Sequence, residues 1–337
     1  MGIPMFSGQR LLHLLLCFFL AAGFVPQAFS QSSDPVHIAP RNNVEKSAPP
    51  PGPELARFNR TKPVLVNVDI VLVPVTVVEA TNQPVTNLEK QNFELYEDGE
   101  QQTLRYFSTE DSPISVGVLL DLSSSMKDKI DTARQALHQF FENSNPEDDY
   151  FVIGFSDHPA LLSDSTHSTE SIENEVALAV PYGNTALLDS IYMGLNKLRR
   201  ARYQRRALII ISDGGDNHSR YTANEIRRLV QEADVEIYAL GIFSKVFKTY
   251  EEWAGKRLLT SITEATGGHT VTVNNIEELP AAAANISREL RNQYILGYRP
   301  NHSLHDTRWR KIKVKVVSGP AKALHVYSKQ GYLPPQN

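Results

Sequence analysis

Oxygen-bearing side chains gather at three places in this chain. The stretch LLDLSSSMKDK (119–129) runs from an apolar pair into Asp121 and three serines. Gly183-Asn184-Thr185 precedes an apolar pattern of helical spacing, and ISDGGD (211–216) ends a second apolar run. Taken singly, each reads as a helix cap or a turn, because Ser, Thr and Asp favour helix N-termini and Asp-Gly favours tight turns. Taken together, Asp121, Ser123, Ser125, Thr185 and Asp213 supply two carboxylates and three hydroxyls. That is donor chemistry for a hard divalent cation, which takes oxygen ligands and keeps several waters. Neutral hydroxyls leave much of the ion's charge uncompensated, so an open coordination position would attract a carboxylate from outside.

The elements around these residues are expected to bring them to one rim. Val116–Leu120 and ALIIIS (207–212) are continuous apolar runs of the kind found in parallel strands covered on both faces. Helical spacing from about Met126, over Glu170–Ala179, over Ala186–Leu198 and over Glu277–Asn292 alternates with strands at Tyr150–Phe155, Val235–Leu240 and His269–Val273. Thr222-Ala-Asn-Glu225 reads as a capping box that opens a helix to Ala233, and a further helix runs to Ala265. Strands alternating with helices predict an α/β fold, a doubly wound and mainly parallel sheet. In such sheets ligands bind outside the carboxyl ends of the strands, near the switch in strand order. Asp121 and Ser212-Asp213 end two strands there, and the loop of Thr185 is expected on the same edge.

Both flanks of this region have β texture instead. VLVNVDIVLVPVTVV (64–78) is rich in β-branched residues, with Pro74 marking a bulge or an edge. Asp98-Gly99 supplies a two-residue hairpin turn between the alternating residues Phe93, Glu94, Leu95 and Tyr96 and a return strand placed at Thr103–Phe107. After Asn292 come QYILGYR, WRKIKVKVV and ALHVYS. Each flank alone has few strands and a naked face, so the two are expected to pair into one small discontinuous antiparallel domain.

DLSSS, GNT and ISDGGD in this order resemble the metal-ion-dependent adhesion site of von Willebrand factor type A domains. The flanking segments resemble bacterial exported proteins of the VWFA-related, acidobacterial type. The resemblance implies a Rossmann-like domain that holds Mg²⁺ or Mn²⁺, with Ca²⁺ as an alternative, through Asp121, Ser123, Ser125, Thr185 and Asp213. All five positions carry the residue types that the motif requires. The division implied is a signal peptide at 1–30, a linker at 31–62, a β segment at 63–112, the type A domain at 113–292 and a second β segment at 293–337.

Arg10 followed by the apolar run Leu11–Val25 and the small residues near Ser30 reads as a signal peptide, too short an apolar run for a spanning helix. Residues 31–62 are Pro- and Ser-rich without periodicity and read as a disordered tether. The single cysteine, Cys17, lies inside the apolar run. The mature chain then has no disulfide, no Cys-ligated zinc and no thiol nucleophile, which suits a secreted or periplasmic bacterial protein. A net charge of −4 gives no footprint for nucleic acid. The basic run KLRRARYQRR (197–206) reads as a helix end complementing its dipole.

GFSDH (154–158) has Ser156 near His158, but a nucleophile elbow needs Gly where His158 stands. The expected activity is therefore binding, to a protein ligand with an exposed Asp or Glu, and not catalysis. The alternatives are a metal-assisted hydrolase using Asp157, His158 or His218 as base, and an architectural protein whose ion only ties loops together. Asp216, Asn217 and His218 follow the second strand directly and read as a solvated loop.

Overall fold

The computed structural model describes residues 70–243, 250–301, 308–317 and 324–334. The expected signal peptide and linker, and the first part of the β-branched run (64–69), lie outside the described residues.

The chain opens with strands β1 (Val71–Glu79), β2 (Phe93–Glu97), β3 (Glu100–Gln102) and β4 (Leu104–Ser108). The α/β region follows as β5 (Ser115–Asp121), α1 (Ile130–Glu142), β6 (Asp149–Phe155), β7 (Pro159–Thr166), α2 (Thr169–Leu178), α3 (Leu187–Leu198) and β8 (Arg206–Ser212). It continues with α4 (Ala223–Glu232), β9 (Glu236–Ile242), α5 (Tyr250–Thr266), β10 (Thr270–Val273) and α6 (Leu279–Arg291). Strands β11 (Tyr294–Tyr298), β12 (Arg310–Val316), β13 (Leu324–Ser328) and β14 (Gly331–Tyr332) close the described chain.

The α/β region forms a six-stranded sheet in the order β10-β9-β8-β5-β6-β7. Its neighbours are parallel except for the β6–β7 pair. Every residue of β5 is buried, as its unbroken apolar sequence requires of a central strand. Side chains alternate between the two faces. Val116, Val118 and Leu120 pack with Ile130, Ala133, Leu137 and Phe140 of α1 and Ile286 and Leu290 of α6. Leu119 and Ile153 pack on the other face with Leu187 and Ile191 of α3, Ile226 and Val230 of α4, and Leu259 and Ile262 of α5. From β5 the chain moves to β6 on one side and then to β8 on the other, so the strand order reverses between β5 and its neighbours.

The flanks build two further four-stranded sheets, β13-β1-β11-β4 and β14-β12-β2-β3, and each mixes strands from both ends of the chain. The first half of β1 pairs with β11 and the second half with β13. Pro74 falls in the half that pairs on one side, where a missing N–H is tolerated. Val73, Val75, Leu95, Tyr294, Leu296, Ile312 and Val314 form the shared core. The β sheets meet the α/β region where Tyr327 of β13 stacks on buried His269, ring centroids 4.3 Å apart at 13°. Arg205, from the basic run, donates to the carbonyl of Leu290 at 2.6 Å and so fastens the entry of β8 to the end of α6.

Three local expectations shift. The α-helix expected from about Met126 begins at Ile130, because residues 124–126 form a tighter 3₁₀ turn. The hairpin turn forms, with Asp98 at φ 49° and Gly99 at φ 91°. Its return strand is split, however: β3 stays beside β2 while β4 crosses to pair with β11. Residues 159–166, for which the sequence predicts no element, form an antiparallel edge strand beside β6. It starts on a proline and shows no clean alternation, both tolerable only at an edge.

Candidate metal centre

Strands β5 and β8 lie side by side in register up to Leu120 and Ile211, so their next residues, Asp121 and Ser212, emerge together at the carboxyl edge. Ser212 Oγ donates to Asp121 Oδ2 at 2.6 Å. Ser123 N–H donates to Asp121 Oδ1 at 2.9 Å. Asp121 is completely buried. Burial pushes its carboxyl up to about 6, opposed by the Ser123 and Ser212 hydrogen bonds and reinforced by the nearby charge of Asp213. A buried carboxylate pressed towards its neutral form is a group that a neighbouring cation would hold ionised.

The hydroxyls carry the cluster outward. Ser123 Oγ lies 3.0 Å from Ser125 Oγ, and Ser125 Oγ donates to Asp213 Oδ1 at 3.0 Å. Lys129 Nζ donates to the other oxygen, Asp213 Oδ2. The helix-cap alternative is not realised for the serines: Ser123, before the 3₁₀ turn, makes no side-chain cap bond, and the residues before α1 and α3 are Lys129 and Ala186. The Ser123 and Ser125 hydroxyls are turned to one another instead of to helix amides.

Thr185 is held between the two loops by its backbone. Its N–H donates to Asn217 Oδ1 at 2.9 Å, and its carbonyl accepts from the N–H groups of Asn217 and His218 at 3.0 and 3.2 Å. On the other side, Ser124 N–H donates to Gly183 O at 3.1 Å and Tyr182 N–H to Leu122 O at 2.7 Å. Among the described residues no hydrogen bond joins the Thr185 hydroxyl to the other four groups. Gly183 adopts φ +71°, and a Cβ there would stand 2.7 Å from the Asp157 carboxylate. That carboxylate instead accepts from Asn184 N and Nδ2, both at 2.8 Å, which holds it below the usual carboxylate range. Glycine at this turn is thus a steric requirement of the loop that presents Thr185.

The donor set fits a hexacoordinate hard cation. Adjacent oxygens of an octahedral Mg²⁺ shell lie ~3 Å apart. The Ser123–Ser125 and Ser125–Asp213 oxygen pairs, each 3.0 Å apart, match that edge. Asp121 has both oxygens engaged by Ser123 and Ser212, which suits contact through water.

Three residues of the centre, Ser212, Asn217 and Lys129, take roles that residue type does not announce, and Asp157, a candidate base by sequence, takes a structural one. Ser212 fixes Asp121 and was visible only as part of the ISDGGD motif. Asn217 fixes Thr185, and Asp157 fixes the Gly183-Asn184 turn. Lys129 had no signal, being one lysine among charged residues at a helix start. Asp216 accepts from Leu188 N–H at 3.2 Å in the first turn of α3, a structural role. Ser156 is buried, and among the described residues no hydrogen bond joins its hydroxyl to the exposed His158 ring. His158 and His218 lie with ring centroids 5.9 Å apart.

Residues 116–215 match the family model of the von Willebrand factor type A domain. An uncharacterized protein of Borreliella burgdorferi is 22% identical over 182 residues, 47% of this chain and 53% of that protein. The chain therefore spans about half the length of the curated relative it matches. Among solved structures it is similar to the PilB minor pilin from Streptococcus sanguinis, with 14% identity, TM-score 0.45, and 55% of this chain and 63% of that one covered. It is also similar to the conserved hypothetical protein BatB from Bacteroides thetaiotaomicron, with 17% identity, TM-score 0.43, and 52% and 98% covered. The vWF domain of the type V pili tip protein Mfa5 from Porphyromonas gingivalis gives 14% identity, TM-score 0.42, and 52% and 94% covered. The matched segment runs from β5 to the loop after β8 and contains all five oxygen-bearing residues, and on that match residues 116–215 belong to a von Willebrand factor type A domain.

Proposed function

We propose that this protein is an exported, cation-dependent binding module. Ser123, Ser125 and Asp213 hold Mg²⁺ or Mn²⁺ directly, while Asp121 and Thr185 complete the shell directly or through water. When bound, the ion supplies an electrophilic position that accepts a carboxylate oxygen from an Asp or Glu of a protein ligand. The observation that carries this reading is the chain of oxygens from Ser123 through Ser125 to Asp213, spaced 3.0 and 3.0 Å apart at the carboxyl edge of the sheet.

The surroundings support a protein ligand. Leu178, Val180 and Tyr182 are 79%, 71% and 59% exposed, at alternate positions of the segment that leads to Thr185. Arg134 grips that segment through the carbonyls of Val176, Ala177 and Ala179. Large apolar side chains held outward on an anchored segment are the usual mark of a protein contact. Binding is favoured over hydrolysis because Asp157 is engaged by Asn184 and kept ionised, a poor general base. Export rests on the apolar amino-terminal run. Among the described residues no helix is long and apolar enough to cross a membrane.

Immobilised wild-type protein in Mg²⁺ should retain an exported protein ligand that EDTA releases and that the Ser123→Ala variant fails to capture. Equal capture under all three conditions would overturn the proposal.

A further inference from the structure

We propose that Lys129 is the built-in competitor of the divalent cation: its ammonium claims Asp213 and thereby sets how tightly the centre holds an ion. This rests on the reading of the rim as a cation site. Both oxygens of Asp213 are engaged from one short segment, Oδ1 by Ser125 and Oδ2 by Lys129. The Asp213 side chain is only 5% exposed, whereas that of Lys129 is 33% exposed, so the ammonium reaches inward from the solvent side.

The backbone of Lys129 is fixed where its side chain departs. Its N–H donates to Met126 O at 2.9 Å, and its carbonyl accepts from Ala133 N–H at 3.0 Å. The 3₁₀ turn and the first turn of α1 therefore aim the lysine at the same carboxylate that their own Ser125 contacts. A flexible surface lysine would be free to pair elsewhere.

The charge balance gives the pairing its consequence. Asp121 and Asp213 place two carboxylates at the rim, and the charge of Asp213 raises the cost of ionising Asp121. One lysine compensates half of their combined charge. A divalent ion would compensate all of it, leaving the lysine as a surplus positive charge beside the ion. Like charges at this range repel, so the lysine must give up Asp213 for the ion to be held well. Released, its ammonium stands on the solvent side, where the ligand's carboxylate would arrive. Lys129 is thus a positioning residue that trades one carboxylate for another and couples cation affinity to ligand binding.

The test uses Mn²⁺ alone as probe, on the full chain, comparing wild type with Lys129→Met, which keeps the stem and removes the charge, and Lys129→Arg, which keeps the charge. Mn²⁺ affinity is read by calorimetry or by electron paramagnetic resonance of free Mn²⁺, and melting is followed in EDTA. Lys129→Met should bind Mn²⁺ about tenfold tighter or more, the scale on which neighbours of metal ligands move affinity, and should melt lower in EDTA. Lys129→Arg should stay close to wild type in both. Equal or weaker Mn²⁺ binding by Lys129→Met, with wild type binding normally, would overturn the competition while leaving the cation site standing. Absence of Mn²⁺ binding in all three proteins, with the EDTA melting difference retained, would overturn both the competition and the cation site.

Discussion

Ser125 Oγ donates to Asp213 Oδ1 at 3.0 Å across 88 residues of chain, joining the loop after β5 to the loop after β8. Ser125 is exposed and Asp213 buried. Replacing Ser125 with alanine removes a proposed ligand but little packing. Mn²⁺ affinity should fall about tenfold or more, while stability in EDTA stays within about 0.5 kcal/mol of wild type. Calorimetric titration and urea unfolding of the same variant separate the two effects.

Asp121 makes the centre sensitive to pH. Its carboxyl rises from 3.8 to about 6 through burial. A folded value above the unfolded one stabilises the fold at low pH and loses that contribution as pH climbs through the folded value. In EDTA, stability should therefore decline between about pH 4 and 6 on this account. A cation needs the ionised form, so the rise in melting temperature on adding Mg²⁺ should be larger at about pH 7.5 than at about pH 5. Ser212→Ala, which removes the 2.6 Å donor to Asp121, should move this dependence to higher pH.

Gly255 on α5 backs the loop that carries Asp213. A Cβ at this position would lie 2.7 Å from Gly215 N and 2.8 Å from the Gly214 carbonyl atoms, all of them backbone. Gly255→Ala gains about 0.5–1 kcal/mol of helix propensity but must push the loop aside, at an overpacking cost of about 1–3 kcal/mol. The net effect should be modest destabilisation with a clear loss of Mn²⁺ affinity, read by unfolding and titration together.

His269 and Glu289 face each other 3.6 Å apart where β13 packs on the α/β region. Burial drives the imidazole down to about 4 and the carboxyl up to about 8, so the contact is between neutral groups near neutral pH. The folded Glu289 holds a proton that the unfolded chain releases, so its contribution is lost as pH rises through about 8. His269 acts oppositely, stabilising as pH rises from about 4 to its ordinary 6.5. The two cancel in mild acid, and a fall in stability with pH remains above 6.5 up to about 8. Chemical unfolding of Glu289→Gln across this range should show that fall abolished.

The central strands were legible because β5 and β8 are apolar without interruption, and only a doubly covered strand tolerates that. The capping box was legible for an equally local reason: Thr222 Oγ1 accepts from Glu225 N–H while Glu225 Oε2 accepts from Thr222 N–H. β7 was not legible, since its burial follows no simple alternation and its partner β6 is what makes it a strand. At the centre, the five oxygen-bearing residues were visible by type and spacing. The roles of Ser212 and Lys129 were not, because the first depends on the register of β5 against β8 and the second on where the 3₁₀ turn aims a long side chain. Residue type announces a donor set, whereas the groups that orient it are ordinary residues placed by tertiary geometry.

Anomalous diffraction from crystals grown with Mn²⁺ tests the oxygen cluster most directly. The expected result is a peak at ~2–2.3 Å from Ser123 Oγ, Ser125 Oγ and an Asp213 oxygen, a normal span for Mn²⁺ and its relatives. A map with no peak among these three side chains, or with its Mn²⁺ peaks only elsewhere on the protein, would contradict the assignment of this rim as a cation site.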